Sequence, residues 1–500
     1  MIHRNGSASK ACHNCRQNRR KCDRSVPTCN KCHSTRQECL GYGKLLQWTN
    51  SVATRGKMMG KNFSAAGTSQ SIGGPGFIKI SKQSQAFLSS TLRSSWCLQP
   101  SDPPFSDLSK TSRFYLSYYD SQVCKDLVLQ DVHEHNPFRD LLSLTGDYLV
   151  LREIIIANSA LHFANVTKKG TLKCNIGSAS PSEAYKDALV AKQQALRLLS
   201  DALSSGDFRN SAIILASMML FIKFELLDSG RNGWRFHTEG ARQLMVYLRD
   251  NGKPDLPALY NLKHILISNC TIYDILGTTL TASALTRSSD IALLNIASKD
   301  IDEDMANGCL SCPPLLLQVI RDVSRFSQST SESNMIENNA IQLLSVVDAF
   351  NPYAWASSLQ KISTSFDLDK RAHIGCAYKE AVKIYIIRAT SAANSPAIHS
   401  DSLEDLVSEI ILHLTPVPPE DSFFKATCWP SFMAGAETND PAQRKWVLSR
   451  LETGLNTLPW GFLSSAVDLL PLVWDYKSQY EPGPDWLIHL KLSDNDWLIA

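Results

Sequence analysis

We expect neither an export signal nor a membrane span in this sequence of 500 residues. Its start, MIHRNGSASK, contains no apolar run and does not resemble a secretory signal. The longest apolar stretch, Ile213–Leu227, is interrupted by Lys223 and Glu225 and is too short to span a bilayer. In a reducing compartment, clustered cysteines bind metal more readily than they form disulfides. We therefore expect a nuclear or cytosolic protein with no membrane partner.

Motifs of the common enzyme classes are also missing. The sequence contains no G-x-S-x-G, G-x-x-x-x-G-K-[ST] or H-E-x-x-H motif and no strand-linked G-x-G-x-x-G. A nucleophile elbow, a phosphate-binding loop and a zinc-peptidase helix are therefore excluded. Catalysis is not expected, although turnover by residues 105–500 would reopen that alternative.

Acidic residues are scarce at the start of the chain. Residues 1–61 contain 2 Asp or Glu and 13 Lys or Arg, whereas the rest contains 46 acidic and 38 basic side chains. A head of charge +11 thus precedes a body of charge −8. The body, in a chain of 43% apolar and 20% charged residues, has the composition and length of one or more folded domains. This asymmetry predicts a polyanionic partner for the head alone.

Six cysteines stand in the basic head with the spacing C-x2-C-x6-C-x6-C-x2-C-x6-C, so the unit C-x2-C-x6-C occurs twice. They are Cys12, Cys15, Cys22, Cys29, Cys32 and Cys39. A C-x2-C pair lets two thiolates converge on one tetrahedral zinc ion. Because four thiolates fill one such site, six can hold two ions only if two thiolates bridge. The symmetry of the repeat indicates Cys12 and Cys29, the first cysteine of each copy, as the bridging thiolates.

Two alternatives to this binuclear site stay open, a single-zinc ribbon with two spare cysteines and a redox-active cysteine cluster. His13 and His33 lie beside candidate ligands, and we expect them to be surface residues because six thiolates already suffice. So small a segment has almost no apolar core. Metal binding should therefore supply its folding free energy, on the order of 10 kcal/mol.

The six cysteines, the basic run RQNRRKCD after Cys15 and Pro27 before Cys29 resemble the fungal binuclear zinc cluster (Zn2Cys6) transcription regulators. The resemblance implies a nuclear, zinc-dependent regulator of RNA polymerase II transcription that binds double-stranded DNA and works with the transcription machinery or co-regulators. It also implies that each half-repeat begins a short helix, the first of which presents its end to the major groove.

The same resemblance implies the DNA contacts. Arg19 occupies the position of the base-reading residue, and the family reads CGG-type triplets through donation to guanine. Asn18 stands where the family often has a basic residue, which leaves base preference outside the triplet open. The phosphate contacts implied are Arg16, Arg20, Lys21 and Lys31. A nuclear-import signal or a solvated surface is the alternative for this basic run.

The chain divides into three expected segments, a zinc cluster domain at 10–42, a basic arm and flexible linker at 43–104, and a helical regulatory domain at 105–500. The basic arm, with Arg55, Lys57 and Lys61, resembles the branch that includes the acriflavine-sensitivity control regulators. No sustained heptad pattern occurs between residues 40 and 110, so no zipper is predicted. Monomeric binding and dimerisation through the large domain both stay open.

Helical periodicity dominates from about residue 105 and predicts a mainly α fold. The predicted helices are Leu149–Ala164, Ser182–Leu203, Ser211–Leu227, Trp234–Arg249, Leu259–Thr281, Pro314–Phe326, Ile336–Phe350, Arg371–Ala393 and Ser402–Leu414. Within the second of these, an apolar stripe is predicted. It consists of Tyr185, Leu189, Leu196, Leu199 and Leu203.

Several blocks of the large domain resemble the family's regulatory domain. These blocks are Asn136–Arg139, Ala160–His162, Trp234–Leu244, Trp429–Glu437 with Arg444 and Trp446, Trp474 and Asp485–Trp486. Gly240 and Ala241 in mid-helix predict a close approach of two helices. His237 is expected to be structural, with ligand sensing as the alternative. Cys309 and Cys312 are expected in a Pro-bounded loop, with a redox sensor as the alternative, and a scaffold with a structural zinc cluster is the alternative for the whole chain.

Overall fold

The structure, a computed structural model, divides the chain into two units, residues 1–79 and residues 80–500, and each is described by itself. The described residues are 10–25, 28–35, 39, 105, 107–131, 136–169, 180–204, 211–250, 257–281, 308, 310–326, 333–359, 365–390, 403–479 and 485–500. The basic arm and linker expected at 43–104 lie outside them.

The first unit contains two short helices, His13–Gln17 (α1) and Asn30–Ser34 (α2). Each begins directly after a cysteine that serves as its N-cap, Cys12 for α1 and Cys29 for α2. The C-x2-C-x6-C repeat of the sequence is therefore also a repeat of local structure. One helix per half-repeat is what the family resemblance implied.

The second unit is built from helices. In chain order they are Lys110–Tyr118 (α3), a π-helical turn Tyr119–Val123, Cys124–Leu127 (α4), Pro137–Ser143 (α5), Leu149–Lys168 (α6), Pro181–Ser204 (α7), Ser211–Asp228 (α8), Trp234–Asp250 (α9), Pro257–Gly277 (α10), Pro314–Phe326 (α11), Ser333–Ala349 (α12), Pro352–Ser358 (α13), Ser365–Ala389 (α14), Leu403–Leu414 (α15), a 3-10 helix Ser422–Thr427, Cys428–Glu437 (α16), Pro441–Thr457 (α17), Phe462–Gln479 (α18) and Trp486–Lys491 (α19).

The mainly α fold expected from periodicity is confirmed. Each of the nine predicted helices is present, with ends shifted by a few residues. Among the described residues no strand forms, and isolated bridges pair Val128 with Gly308 and Arg231 with Trp497. The last residues of the helix predicted to end at Ala393 lie outside the described residues, and α14 ends at Ala389.

Helix α8 lies at the centre of the core. All of its residues except Asp228 are buried, including Lys223 and Glu225. Glu225 keeps its charge inside the core because Nζ of Lys192 donates to its Oε1 at 2.6 Å. Helix α6, which packs against α8, is the one described helix with the length and apolarity of a membrane span, and 72% of that window is buried inside the structure.

The apolar stripe predicted on α7 is only partly correct, because Leu199 is buried and Leu196 packs against the core. The buried face of this helix consists of Ala184, Ala188, Ala191, Ala195 and Leu199. Of the predicted stripe, Tyr185, Leu189 and Leu203 are exposed. The small alanine side chains allow α7 to lie close along α6, and this tight contact takes precedence over burial of the larger leucines.

Helix α7 begins at Pro181, one residue before the predicted Ser182, and Ser180 caps it. The backbone N–H of Ser180 donates to Oε2 of Glu183 at 2.8 Å, and the N–H of Glu183 donates to Oγ of Ser180 at 3.2 Å. This reciprocal pair is a capping box of the S-x-x-E type.

The close helix approach predicted at Gly240 is confirmed. A Cβ added to Gly240 on α9 would lie 3.3 Å from Cε of Met218 on α8, and the neighbouring Ala241 is buried. His237, one turn earlier, stacks on Phe221 with ring centroids 4.7 Å apart, and its Nε2 lies 3.7 Å from Oε1 of Glu225. Both contacts are what a structural histidine makes.

The last recurrent blocks of the sequence meet around one buried carboxylate. Nε of Arg388 on α14 donates to Oε2 of Glu437 at 2.7 Å, and the indole N–H of Trp486 donates to the same oxygen at 3.0 Å. The indole N–H of Trp474 donates to the carbonyl of Gly435 at 2.8 Å. Paired in this way, Glu437 joins α14, α16 and α19 without leaving a buried charge unpaired.

Candidate metal centre and nucleic-acid interface

The cysteines of the first unit converge on one point. Sγ of Cys12 lies 3.5 Å from Sγ of Cys29 and 3.7 Å from Sγ of Cys32, and Sγ of Cys15 lies 3.8 Å from Sγ of Cys29. All four side chains are buried, and their sulfurs lie within 4.8 Å of one another. Two of them come from each half-repeat, so the cluster joins the two halves of the unit.

The two outer cysteines flank this group. The backbone N–H of Cys12 donates to Sγ of Cys22 at 3.5 Å, and Cys22 also lies within 4.8 Å of Cys29 in a group with Asp23. The thiol of Cys39 interacts with that of Cys32. Cys22 and Cys39 are only half-buried. Each half-repeat therefore contributes two inner sulfurs and one at the periphery.

Helix capping orients the inner sulfurs. The backbone N–H of Cys15 donates to Sγ of Cys12 at 3.5 Å, and the N–H of Cys32 donates to Sγ of Cys29 at 3.3 Å. In each C-x2-C pair the first sulfur thus accepts from the amide of the second cysteine. Such bonds stabilise a thiolate, which is the form that binds metal.

The sulfur geometry fits zinc. A tetrahedral ion with Zn–S bonds of about 2.3 Å places its sulfurs about 3.8 Å apart, close to the separations of 3.5, 3.7 and 3.8 Å. The cysteines are free thiols, and disulfide sulfurs would lie only about 2.05 Å apart. An all-sulfur set of this geometry suits a soft or borderline ion. The donor set therefore fits zinc.

Burial makes these thiols costly to ionise without a cation. Burial raises the pKa of Cys12 and Cys15, and it raises the pKa of Cys32 to about 12. Burial also acts to raise the pKa of Cys22, but donation from the backbone N–H groups of Cys12 and Arg24 outweighs it and lowers the value to about 7. A dication that replaces the protons removes this penalty, so metal binding and folding of the unit are coupled.

Asp23 ties the basic run to the second helix. Its carboxylate accepts from the Ser25 hydroxyl at 2.6 Å and from the backbone N–H groups of Asn30 at 3.1 Å and Lys31 at 3.3 Å. These bonds, with that from Ser25 the largest cause, lower the pKa of Asp23 to about 2. The sequence alone assigned no role to Asp23.

The candidate DNA contacts lie on the surface. All six side chains nominated from the sequence are exposed; they are Arg16, Asn18, Arg19, Arg20, Lys21 and Lys31. Arg20, Lys21 and Lys31 line one open groove of about 640 Å³, together with Cys22, Asp23 and Thr35. Basic side chains from both half-repeats therefore face one groove beside the cysteine cluster. His33 is exposed, as expected, and the side chain of His13 lies outside the described residues.

The end of α1 has an unusual backbone. Arg19 adopts φ +51°, in the left-handed region. The N–H of Arg20 donates to the carbonyl of Cys15 at 2.8 Å, and the N–H of Arg19 donates to the carbonyl of Arg16 at 3.2 Å. This is a Schellman motif with arginine where glycine is usual. A left-handed non-glycine residue costs about 1–2 kcal/mol, and such strain concentrates at functional positions.

Of the pair Cys309 and Cys312, only Cys312 belongs to the described residues. Cys312 is buried in an irregular segment before Pro313, and burial raises its pKa well above the ordinary thiol value. Cys309 and the neighbouring Asn307 lie outside the described residues. The position of Cys312 agrees with the loop expected for this segment.

Two family models match the chain. The family described as "Fungal Zn(2)-Cys(6) binuclear cluster domain" matches residues 10–49, and the family described as "Fungal specific transcription factor domain" matches residues 114–500. The first match covers the cysteine cluster and implies two zinc ions. The second match covers most of the helical unit.

A curated relative matches over nearly its whole length. It is the acriflavine sensitivity control protein acr-2 of Neurospora crassa, 27% identical over 594 aligned residues that cover 100% of this chain and 98% of the relative. No solved structure matches the chain. The family that matches the helical unit is described as a transcription factor domain and not as an enzyme. The chain belongs to the fungal specific transcription factor family and is a zinc-binding, DNA-binding regulator of transcription with a Zn2Cys6 cluster.

Proposed function

We propose that this transcription factor reads CGG-type DNA sites through its zinc cluster and regulates RNA polymerase II transcription in the nucleus. The observation that carries the proposal is the groove beside the cysteine cluster, where Arg20, Lys21 and Lys31 converge from the two half-repeats. Exposed basic groups spaced along a groove are suited to a phosphate backbone. A scaffold with a merely structural zinc cluster would have no need of this concentration of charge.

The metal roles follow from the sulfur contacts. Cys12 and Cys29 act as bridging thiolates, because each touches sulfurs of the opposite half-repeat. One ion is then held by Cys12, Cys15, Cys22 and Cys29, and the other by Cys12, Cys29, Cys32 and Cys39. Zinc acts here as a structural ion that fixes α1 and α2, and the protein's own side chains contact DNA.

The DNA roles follow from position and strain. Arg19, held in a left-handed conformation at the end of α1, donates to guanine in the major groove. Arg16, Arg20, Lys21 and Lys31 contact phosphates, which position the cluster without reading sequence. Asn18, the C-cap of α1, lies beside Arg19 and contributes to base preference outside the triplet.

The rest of the chain decides when the cluster acts. We assign residues 10–42 to the DNA-binding domain, 43–104 to a basic arm and flexible linker, and 105–500 to a helical regulatory domain that binds an effector or partner proteins. The name of the Neurospora crassa relative refers to acriflavine sensitivity. For this chain, we propose control of a pathway-specific set of genes, either metabolic or for secondary metabolites.

Selection from a random duplex library tests the proposal. The zinc-loaded chain is incubated with random DNA at ~150 mM salt, and bound sequences are recovered and read. Enrichment of a CGG-type triplet is expected. Recovery of sequences with no shared triplet, at the affinity of random DNA, would overturn the site assignment.

A further inference from the structure

An acidic side chain lies in the groove that carries the proposed phosphate contacts. Among the described residues that line this groove, Asp23 is the one acid, and Arg20, Lys21 and Lys31 are the bases. A carboxylate in this place repels the phosphates of DNA, because like charges oppose each other. Contact with DNA therefore gives no reason for an acid here, whereas its hydrogen bonds indicate a different role.

The carboxylate of Asp23 holds the start of α2. Its Oδ2 accepts from the backbone N–H of Asn30 at 3.1 Å, and its Oδ1 accepts from the backbone N–H of Lys31 at 3.3 Å. The hydroxyl of Ser25 donates to Oδ2 at 2.6 Å. Arg24 adopts φ +62°, and this left-handed turn allows Ser25 to reach back to Asp23. Both carboxylate oxygens are thus engaged by donors of the protein.

A role as a metal ligand does not explain Asp23. Its carboxylate lies within 4.8 Å of Sγ of Cys22 and of Cys29. Six thiolates nevertheless complete two tetrahedra when two of them bridge. The internal repeat leads to the same conclusion, because Leu40 follows Cys39 as Asp23 follows Cys22. The second half-repeat thus has no ligand atom at the equivalent position, although the spacing of its cysteines is the same.

We propose that Asp23 is a positioning residue for DNA binding, which fixes Lys31 so that it meets the phosphates together with Arg20 and Lys21. Lys31 belongs to the second half-repeat and the other two bases to the first. The bonds of Asp23 to the start of α2 are a direct link between these halves. The proposal rests on the proposed phosphate role of Lys31 and does not depend on which base triplet is read.

Two effects of this carboxylate on DNA affinity oppose each other. Its charge weakens binding, and salt screens that repulsion because the groove is open to solvent. Its hydrogen bonds strengthen binding, because a backbone already fixed at Lys31 loses less conformational freedom when the complex forms. Asparagine separates the two effects, since its amide oxygen can still cap α2 but carries no charge. Alanine removes both the charge and the hydrogen bonds.

DNA affinities of D23N, D23A, K31A and the double variant D23A/K31A, each as the zinc-loaded full chain, test the proposal. Fluorescence anisotropy is measured with a CGG duplex and with its scrambled version. D23N should bind both at least as tightly as the wild type. D23A should bind both at least about threefold more weakly although a negative charge is gone, and its slope of log affinity against log salt should fall by about 1. In the K31A background D23A should cause no further loss, because the effect acts through Lys31.

Zinc content and a distant acid provide the controls. All the variants should keep two zinc ions per chain, and loss of an ion from D23N would identify Asp23 as a metal ligand and overturn the proposal. D201A removes an exposed acid of α7 and should bind DNA as the wild type does. S25A removes the hydroxyl that donates to Asp23, and it replaces D23A if that variant loses zinc. It should weaken binding in the same direction.

Hydrogen exchange tests the positioning without DNA. The amides of Asn30 and Lys31 should exchange faster in D23A than in the wild type and in D23N. Unchanged exchange at both amides, an equal loss of affinity from D23A with and without Lys31, or tighter DNA binding by D23A than by D23N overturns the role of Asp23. Equal affinity of the wild type for the two duplexes would overturn the CGG assignment instead, and the effects expected of Asp23 would remain measurable with either duplex.

Discussion

Sγ of Cys12 and Sγ of Cys29 lie 3.5 Å apart at the centre of the first unit, and both side chains are fully buried. Each sits at the N-cap of one short helix and also contacts a sulfur of the other half-repeat. The two cysteines are thus equivalent positions of an internal repeat that meet at its centre. Two ions served by six thiolates require such a pair.

The proposed bridging by Cys12 and Cys29 would make the six cysteines unequal, and metal content measures the difference. C12S or C29S should lose both zinc ions, because each removes a ligand from both tetrahedra. C22S or C39S should destabilise one ion and retain the other. Zinc per chain after gel filtration, determined by elemental analysis, gives the answer. K31A serves as the control with both ions, and equal loss from all four cysteine variants would show that Cys12 and Cys29 do not bridge.

Arg19 and Arg20 should fail in different ways. R19A should lower the discrimination between a CGG duplex and its scrambled version by about 1–3 kcal/mol, because a base contact is lost. R20A should weaken binding to both duplexes alike and reduce the slope of log affinity against log salt by about 1. Fluorescence anisotropy over a range of salt concentrations measures both quantities. An exchange of the two phenotypes would contradict the assignment of Arg19 to bases.

The ion pair of Asp131 with Arg139 should give the body an acid-sensitive step. Nη1 and Nη2 of Arg139 donate to the two oxygens of Asp131 at 2.6 and 2.9 Å, and these bonds hold the pKa of Asp131 below its ordinary value. The stabilisation is complete above the unfolded-state pKa of about 3.9 and is lost as the pH falls through the lower folded-state value.

D131N should therefore cost about 1–3 kcal/mol at pH 7 and remove this part of the acid dependence. Urea unfolding from pH 7 to pH 3 measures both effects. D201N, which changes an exposed acid on α7, is the matched control and should behave as the wild type. A D131N curve parallel to the wild type over the whole range would refute the role of the pair.

Two glycines of the core should respond differently to alanine. A Cβ at Gly277 would lie 2.2 Å from Cη2 of the buried Trp234, whereas a Cβ at Gly240 would meet only the flexible end of Met218, with Cε at 3.3 Å and Sδ at 3.6 Å. G277A should destabilise the body by about 1–3 kcal/mol through overpacking. G240A should be nearly neutral, since about 1 kcal/mol of helix propensity offsets the movement of Met218. Guanidinium unfolding compares the two, and a larger loss for G240A would contradict this packing.

The sequence predicted nine of the longer helices and the metal cluster because their signals are local. A long apolar run indicated α8, and cysteine spacing indicated the converging sulfurs. Other helices were missed, including the 17-residue α17, although Asn136–Pro137, Asn351–Pro352 and Asp440–Pro441 each carry an N-cap followed by proline. These three helix starts could therefore have been predicted from the sequence.

Other features depended on tertiary contacts that no local pattern contains. The stripe on α7 was misplaced because hydrophobic periodicity favours burial of Leu189 over Ala188. In the structure the close contact with α6 buries the smaller Ala188 and leaves Leu189 exposed. The approach of His373 to His413 joins residues 40 positions apart and has no signature in the sequence. Asp23 was overlooked because its partners, Asn30 and Lys31, follow in the next half-repeat.

Zinc titration into the metal-free chain, with binding to a CGG duplex followed at each step, tests most directly whether metal builds the DNA reader. DNA affinity should appear as zinc fills the cluster, reach its maximum at two tightly bound ions per chain, and disappear on chelation. Equal affinity of the metal-free chain for the duplex, or a maximum already at one ion, would contradict a binuclear cluster as the DNA-binding element.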